Sequence, residues 1–382
     1  MVLFTSSWYP SPKDPVLGNF VRRHAEAVAT KHTVWLIYVT SANSKTPKEK
    51  FSYELVNGVH TVICYYAKSG FSTWNRWRAF KKGIHYIEKQ SQKPFDIIHH
   101  NVFWPDVWQA LRLSKKWRIP FIVTEHWTGF DIAERGVPAN RVLRMSKWAA
   151  QKASFICPVT ENLAQSMKKL GLSKNNESKY RVVTNVVDTD FFIPNPTKNQ
   201  NTRRFLHLSN LLDPHKNVSG ILRVWKKVTE TYLNVQLTVA GDGPLEEHRL
   251  YARELNIPEE TIQFMGTIPS AEVLKQMQES HVLVLFSNYE NFPCVISEAY
   301  STGLPVIATD VGGIREHLKS EQGYLIPKRD EQALYMVIEQ CMNQANRFNA
   351  TQLRDYALKE FSVKSIQEQF TTLYNEAIHK KR

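Results

Sequence analysis

Several things are scarce in this sequence, and each scarcity excludes something. There are four cysteines, Cys64, Cys157, Cys294 and Cys341. None forms a Cys-x-x-Cys pair, so the usual zinc and thiol-exchange spacings are missing and the thiols read as reduced and mostly buried. No cluster of metal-ligand type is visible, and no metal is expected. The longest apolar runs, 34–39 and 282–286, have strand length and cannot span a bilayer. The start, Met1-Val2-Leu3-Phe4-Thr5-Ser6-Ser7, has no basic n-region and reads as no signal peptide. Solenoid repeats and low-complexity tracts are missing too. With 42% apolar and 22% charged residues, what remains is an ordinary soluble protein of cytoplasmic type. Its 382 residues exceed one typical core, so two domains are expected.

Negative charge is scarce in one half only. Up to residue 200 there are 29 Lys and Arg against 14 Asp and Glu, and beyond it 20 against 22. The net charge of +13 therefore sits in the first half. Such an excess suits an anionic partner, a membrane surface or a polyanion, although a merely solvated basic surface explains it equally well. In this half Trp74, Trp77, Ile84 and Ile87 fall near one helical face, with Arg76, Arg78, Lys81 and Lys82 beside them. That pattern fits a core-facing stripe or an interfacial helix on anionic lipid. No nucleic-acid-binding module is recognisable, and nucleic acid is not expected as a partner.

What is present is an alternation of short β-branched runs with longer amphipathic stretches. Strands are expected at 2–5, 34–39, 59–64, 96–99, 121–124, 154–159 and 181–184, with helices at 19–30 and 104–117. A polar, proline-punctuated stretch then reads as a linker, and strands restart at 205–209, 235–240, 262–265, 282–286 and 305–309. The rhythm implies α/β with parallel sheets and crossover helices. The expected domains are 1–194, a linker at 195–202, and 203–360, with a final helix at 361–382 packing back toward the first domain. Two such halves offer a cleft where the carboxyl ends of both sheets converge.

The most informative stretch is 282–303. An apolar strand ends at Ser287, a polar turn follows, Pro293 stands at an expected first helical position, and Gly303 stops the helix. A helix N-terminus opening at a strand's carboxyl end is a ready anion site. Glu290 precedes that helix and Glu298 lies about five residues inside it. Their spacing suits a ligand with hydroxyl-bearing ends and a phosphate between them, but two glutamates eight apart also arise by chance.

Context sharpens the reading. Glu290-x7-Glu298, then Ala299-Tyr300-Ser301-Thr302-Gly303-Leu304-Pro305, the strand Val306 to Thr309, and Gly312-Gly313 resemble the signature of glycosyltransferase family 4, retaining enzymes of the GT-B fold. Val239-Ala240-Gly241-Asp242-Gly243-Pro244, Phe264-Met265-Gly266, Phe361-Ser362 and Leu373-Tyr374 extend the resemblance. It is dense in the second half and thin in the first.

The resemblance implies a GT-B architecture of two Rossmann-like domains facing each other across a cleft. It implies retaining, metal-independent hexosyl transfer from a nucleotide diphosphate sugar to an acceptor hydroxyl. Surface polysaccharide or glycolipid synthesis is the setting, with a glycan or lipid-linked acceptor. The donor is a substrate and no cofactor is implied. By the same resemblance Glu298 binds the ribose hydroxyls, and Glu290 with the backbone of Asn291, Phe292, Pro293, Cys294 and Val295 holds the donor sugar. Met265 and Gly266 meet the base through their main chain, and Lys216 neutralises the diphosphate. The family's arginine position carries Asn210, which can donate a hydrogen bond but no charge; Arg22 or Arg23 is offered as the replacement. Gly18 ends a strand-to-helix loop near the donor phosphate, with Asn19 as the expected N-cap. His126 matches a family histidine that touches the donor sugar, and His99-His100 reads as structural. The alternatives are a GT-B relative with another activity, such as a sugar-nucleotide epimerase, or a non-catalytic sugar-nucleotide binder. The chemistry needs little beyond electrostatic stabilisation of the departing diphosphate and alignment of the acceptor. A cytoplasmic site, peripheral on the inner face of the membrane, completes the expectation.

Overall fold

The computed structural model describes residues 1–43, 51–68, 71–174, 176–195, 201–344 and 347–381. The chain forms two compact units, Met1–Val186 with Val363–Arg382, and Val187–Ser362. Most of the expected linker, residues 196–200, lies outside the described residues.

Unit 1 runs β1 (Val2–Ser6), α1 (Asn19–Ala29), β2 (Val34–Ser41), β3 (Phe51–Val56), β4 (Val59–Tyr66), α2 (Ser72–Gln90), β5 (Ile97–Asn101), α3 (Trp108–Trp117), β6 (Phe121–Glu125), α4 (Ile132–Arg135), α5 (Asn140–Lys152), β7 (Phe155–Pro158) and α6 (Glu161–Lys169). Its sheet has the order β3-β4-β2-β1-β5-β6-β7, parallel except for β3, which pairs antiparallel with β4. Alternate residues face opposite sides, as strand geometry requires. Leu3, Ile37, Ile98, Val123 and Ile156 share a core with the inner faces of α2, α3, α5 and α6. Phe4, Leu36, Ile97, Ile122 and Phe155 pack on α1 and the last helix, Val363–His379. That helix is tied in by Tyr374, whose hydroxyl hydrogen-bonds His99 Nδ1 at 2.7 Å, while His99 Nε2 meets the Thr124 hydroxyl at 2.6 Å.

Unit 2 runs β8 (Arg203–Ser209), α7 (Asp213–Lys216), α8 (Val218–Thr231), β9 (Val235–Gly241), α9 (Leu245–Glu254), β10 (Ile262–Met265), α10 (Ser270–Glu279), β11 (Val282–Leu285), α11 (Cys294–Ser301), β12 (Val306–Thr309), α12 (Ile314–His317), β13 (Gly323–Ile326), α13 (Glu331–Asn343) and α14 (Ala350–Phe361); the last helix of the chain is α15. The strands pair in the order β10-β9-β8-β11-β12-β13, all parallel. Residues 187–195 belong to this unit, which anchors them at Thr189 and Phe192. Phe192 is buried, its carbonyl accepts from Ser301 Oγ at 2.6 Å, and Arg354 donates to the carbonyls of Phe192, Thr189 and Ser301.

Four expectations are corrected. Residues 181–184 form no strand: Arg181 N donates to Ile156 O and Val183 N to Pro158 O, a short run along the β7 edge with no partner strand outside it. The helix expected from 104 begins at Trp108, after a turn that contains Pro105. The N-cap of α1 is Gly18 rather than Asn19, which is already the first helical residue. In α2 the aromatic stripe divides: Ile84 and Ile87 are buried with Ala79 and Phe80, whereas Trp74 is 53% exposed.

Candidate functional site

In each sheet the first strand of the unit lies centrally, and the chain leaves it in opposite directions. Sheets of this kind bind ligands beyond the carboxyl ends of the strands on either side of that reversal. In unit 2 those strands are β8 and β11. The loop after β8 carries Asn210 and Lys216, and the loop after β11 carries Ser287 to Pro293.

The two loops are joined at the site. Lys216 Nζ donates to Glu290 Oε1, and Ser287 Oγ donates to the same oxygen at 2.9 Å. The side chains of Lys216 and Glu290 are 15% and 10% exposed, so the pair is nearly out of water. Asn288 adds a second tie. Its backbone N donates to His215 O at 2.7 Å, its Nδ2 to Pro214 O at 3.1 Å, and its Oδ1 accepts from Arg329 Nε at 3.1 Å. Neither Ser287 nor Arg329 was singled out from the sequence. Arg329 follows β13, a four-residue strand too short to stand out.

The glutamate loop is braced from below. Gly312 has φ +55°, and a Cβ there would lie 1.8 Å from Glu290 O and 3.0 Å from Asn291 O. Gly313 N donates to Asn291 O at 2.7 Å. The Gly-Gly turn therefore fits because backbone packs directly on backbone. Beyond it Pro293 is the N-cap of α11 rather than its first helical residue, so the helix begins at Cys294, one position later than expected. The positive end of the helix dipole opens here, at the half-buried Cys294 and Val295. Glu298 is the fifth residue of α11 and is buried. Phe292 turns its ring into the core, 4.7 Å from His317 and 5.4 Å from Phe361 between centroids, so only its backbone can face a ligand. At the other end the N–H of Leu304 closes on Ala299 O at 2.8 Å and that of Gly303 on Tyr300 O at 2.9 Å, a helix stop of the expected kind.

The remaining unit 2 residues sit at the same strand ends. Asn210 is exposed, and its Oδ1 accepts from Leu212 N at 3.3 Å. Met265 ends β10, and Gly266 is exposed with its carbonyl 3.2 Å from Gly241 N. No group of three or more metal-ligating side chains occurs among the described residues. No metal-binding Asp-x-Asp motif is expected from the sequence; the bare spacing does occur, at Asp188-Thr189-Asp190. Asp188 Oδ1 accepts from the N–H groups of Asp190 and Phe191 at 3.1 and 3.0 Å, a local turn with a structural role.

In unit 1 the strands beside the reversal are β1 and β5. Gly18, at φ +72°, lets α1 start against the β1 loop: a Cβ would stand 2.7 Å from the backbone of Trp8. His126 follows β6, is buried, and stacks on Phe20 at 4.2 Å with His24 at 5.2 Å. Burial, with Coulombic opposition from His24, holds the His126 imidazole well below the usual histidine range, so it is neutral. Its backbone is set by Glu125, which belongs to none of the motifs. Glu125 Oε1 accepts from the N–H groups of His126 and Trp127, both at 2.8 Å, and Oε2 from Phe103 N at 2.9 Å. Burial pushes this carboxyl up to about 7. His100 meets Thr5 Oγ1 at 2.8 Å and Val102 O at 3.0 Å, so with His99 the pair is structural.

Comparison with known proteins gives the family and the fold. Residues 17–191 match the family model described as Glycosyltransferase Family 4, and residues 188–359 match Glycosyl transferases group 1. A phosphatidylinositol N-acetylglucosaminyltransferase component of Arabidopsis thaliana is 24% identical over 284 residues, 74% of this chain and 62% of that protein. The chain thus spans about three-fifths of that relative. Among solved structures, sucrose-phosphate synthase from Thermosynechococcus elongatus superposes with a TM-score of 0.80 at 18% identity, covering 100% of both chains. HepE of Anabaena, solved in complex with UDP, gives 0.76 at 17%, covering 98% of this chain and 99% of that one. The architecture is GT-B, two Rossmann-like α/β domains. With matched models running from residue 17 to 359, the chain belongs to glycosyltransferase family 4.

Proposed function

We propose that the protein is a glycosyltransferase that moves a hexosyl group from a nucleoside diphosphate sugar to an acceptor hydroxyl with retention of configuration. One observation carries the reading: the loops on either side of the strand-order reversal in unit 2 bring Lys216 and Glu290 together at the start of α11. The donor diphosphate takes Lys216 from Glu290 and lies at the positive end of the helix. Released from the lysine, Glu290 accepts a sugar hydroxyl, and Glu298 accepts the two ribose hydroxyls in charge-assisted hydrogen bonds. The backbone at Met265 and Gly266 meets the base. The UDP bound by HepE favours uridine.

In the transfer step the bond between the anomeric carbon and the diphosphate oxygen breaks as the acceptor oxygen attacks from the same face. The acceptor proton goes to the departing diphosphate. No carboxylate nucleophile is needed, in contrast to retaining glycosidases. Lys216 and the α11 dipole stabilise the charge that develops, so the reaction proceeds without metal or cofactor. His126, neutral, donates to or accepts from a hydroxyl of the donor sugar. The acceptor is a glycan or lipid-linked hydroxyl in polysaccharide or glycolipid synthesis, and the protein works in the cytoplasm at the inner face of the membrane.

The test is calorimetric titration with uridine, guanosine and adenosine diphosphate sugars, followed by donor hydrolysis with and without EDTA. Binding of a uridine diphosphate sugar, lost in Glu298→Ala, and hydrolysis that survives EDTA are expected. No heat with any sugar nucleotide would end the reading.

A further inference from the structure

Helices α2, α3 and α5 lie side by side on one face of the unit 1 sheet: their inner residues share one core, Phe80 of α2 packs on Trp108 of α3, and α3 packs against α5. Their outer sides therefore form one surface. Together these helices hold twelve Lys and Arg against one Asp or Glu, in a chain whose whole excess is +13. The single acid, Glu88, is paired with Lys116. One cation, Arg76, is held inward by the buried Asp106. Arg78, Lys81, Arg112, Lys115, Arg141 and Arg144 are all exposed.

The same surface leaves aromatic rings in water. Trp74 and Trp148 are each 53% exposed, one on α2 and one on α5. The Arg78 guanidinium lies 4.4 Å from the Trp74 ring, and Lys81 Nζ lies 4.5 Å from Trp77. A cation over an indole keeps the pair soluble while presenting both a charge and an amphipathic ring outward.

We propose that this three-helix side of unit 1 is the surface by which the protein rests on an anionic lipid bilayer. Lipid is favoured over a soluble polyanion because two signals coincide there. Cations gather at the negative headgroups, and tryptophans settle at the boundary between headgroup and acyl chain. A polyanion would use the charges and leave two half-exposed indoles without a role. No helix among the described residues is long and apolar enough to cross a membrane, so the attachment is to the surface and reversible. The inference is independent of the sugar-transfer reading, since none of these residues belongs to the donor site.

The full-length protein is sedimented with phosphatidylcholine vesicles, with and without phosphatidylglycerol. Binding is expected only to the phosphatidylglycerol vesicles, and it should weaken as salt is raised. Each cation near the surface strengthens binding about fivefold, so Arg78→Gln, Lys81→Gln and Arg144→Gln combined should weaken it about 100-fold. Trp74→Ser with Trp148→Ser should also weaken it and should remove most quenching of protein fluorescence by brominated lipid. Unchanged thermal unfolding and unchanged sugar-nucleotide binding in both variants show that fold and donor site are intact. Absence of binding to phosphatidylglycerol vesicles at low salt overturns the proposal. So does vesicle binding indifferent to the two tryptophans together with equally tight binding to heparin, which would mark a polyanion surface.

Discussion

Replacing Lys216 by Met probes the Lys216–Glu290 ion pair at the centre of the proposed donor half-site. The lysine and Glu290 side chains are 15% and 10% exposed, so the substitution strands a carboxylate nearly out of water. Breaking one partner of a buried pair costs about 3–5 kcal/mol. Ser287 Oγ still donates to Glu290 at 2.9 Å, which places the expected loss near the lower end, about 3 kcal/mol. For a unit the size of Val187–Ser362, about 1 kcal/mol moves Tm by about 2–4 °C. Its calorimetric transition should thus fall by about 6–12 °C. Adding Glu290→Gln removes the stranded charge while leaving a group that Ser287 can still meet, so the double variant should regain about 2 kcal/mol, a coupling expected of directly paired side chains. The single variant should also bind a uridine diphosphate sugar about 10- to 150-fold more weakly, the equivalent of one charge-assisted hydrogen bond of about 1.5–3 kcal/mol. A transition within about 2 °C of the parent, or a double variant no more stable than the single, would refute the electrostatic account of this pair.

Three further outcomes follow from the geometry. Gly312→Ala must enter a left-handed conformation and displace the Glu290 carbonyl, so it should lose donor binding, whereas Gly266→Ala, with nothing within 4 Å of the new Cβ, should melt like the parent; equal melting and binding of the two variants would contradict the brace. Glu125→Gln puts an amide N–H group among the three backbone N–H groups that set the loops around His126, and turnover should fall by about 10- to 100-fold while the affinity for free nucleoside diphosphate, which the proposed function assigns to unit 2, stays the same; a matching fall in that affinity would show a general structural effect. In unit 2 burial pushes His207 and His317 down to about 4, against about 6.5 when unfolded. A lowered histidine stabilises the fold above its unfolded value and loses that contribution as pH falls toward the folded one, at about 1.4 kcal/mol per pH unit and proton. His317→Phe keeps the ring packing on Phe292 and Phe361 and should remove one of these two contributions to the fall in unit 2 stability between about pH 6.5 and 4.5, read as Tm against pH; an unchanged slope would show that His317 does not titrate on unfolding.

Much of this site is legible in the sequence alone, for local reasons. Residues 282–303 carry their own punctuation: an apolar run, a polar turn, Pro293 and Gly303. Strand, loop and helix follow from that with a shift of one position at the N-cap. Other elements carried no such punctuation. β3 has no buried residue, three exposed ones and one charge, Glu54, and pairs along the edge that β4 offers it. Residues 181–184 have strand-like composition but only the side of β7 to lean on. Glu125 looks like any acid after a strand, and its three backbone partners are supplied by two separate loops.

The sequence by itself determined the alternation of strands and helices, the location of the basic charge in the first half, and the residue types at the proposed donor half-site, because all of these reside in spacing and composition along the chain. Tertiary structure alone decided which distant groups meet. Lys216 reaches Glu290 across 74 positions because β8 and β11 are neighbours in the sheet. Tyr374 reaches His99 across 275 because the last helix returns to unit 1. The basic residues of α2, α3 and α5 become one surface only when three separate helices share one face of a sheet. Contacts of that kind depend on strand order, and strand order is set by the packing of whole layers rather than by any local run of residues.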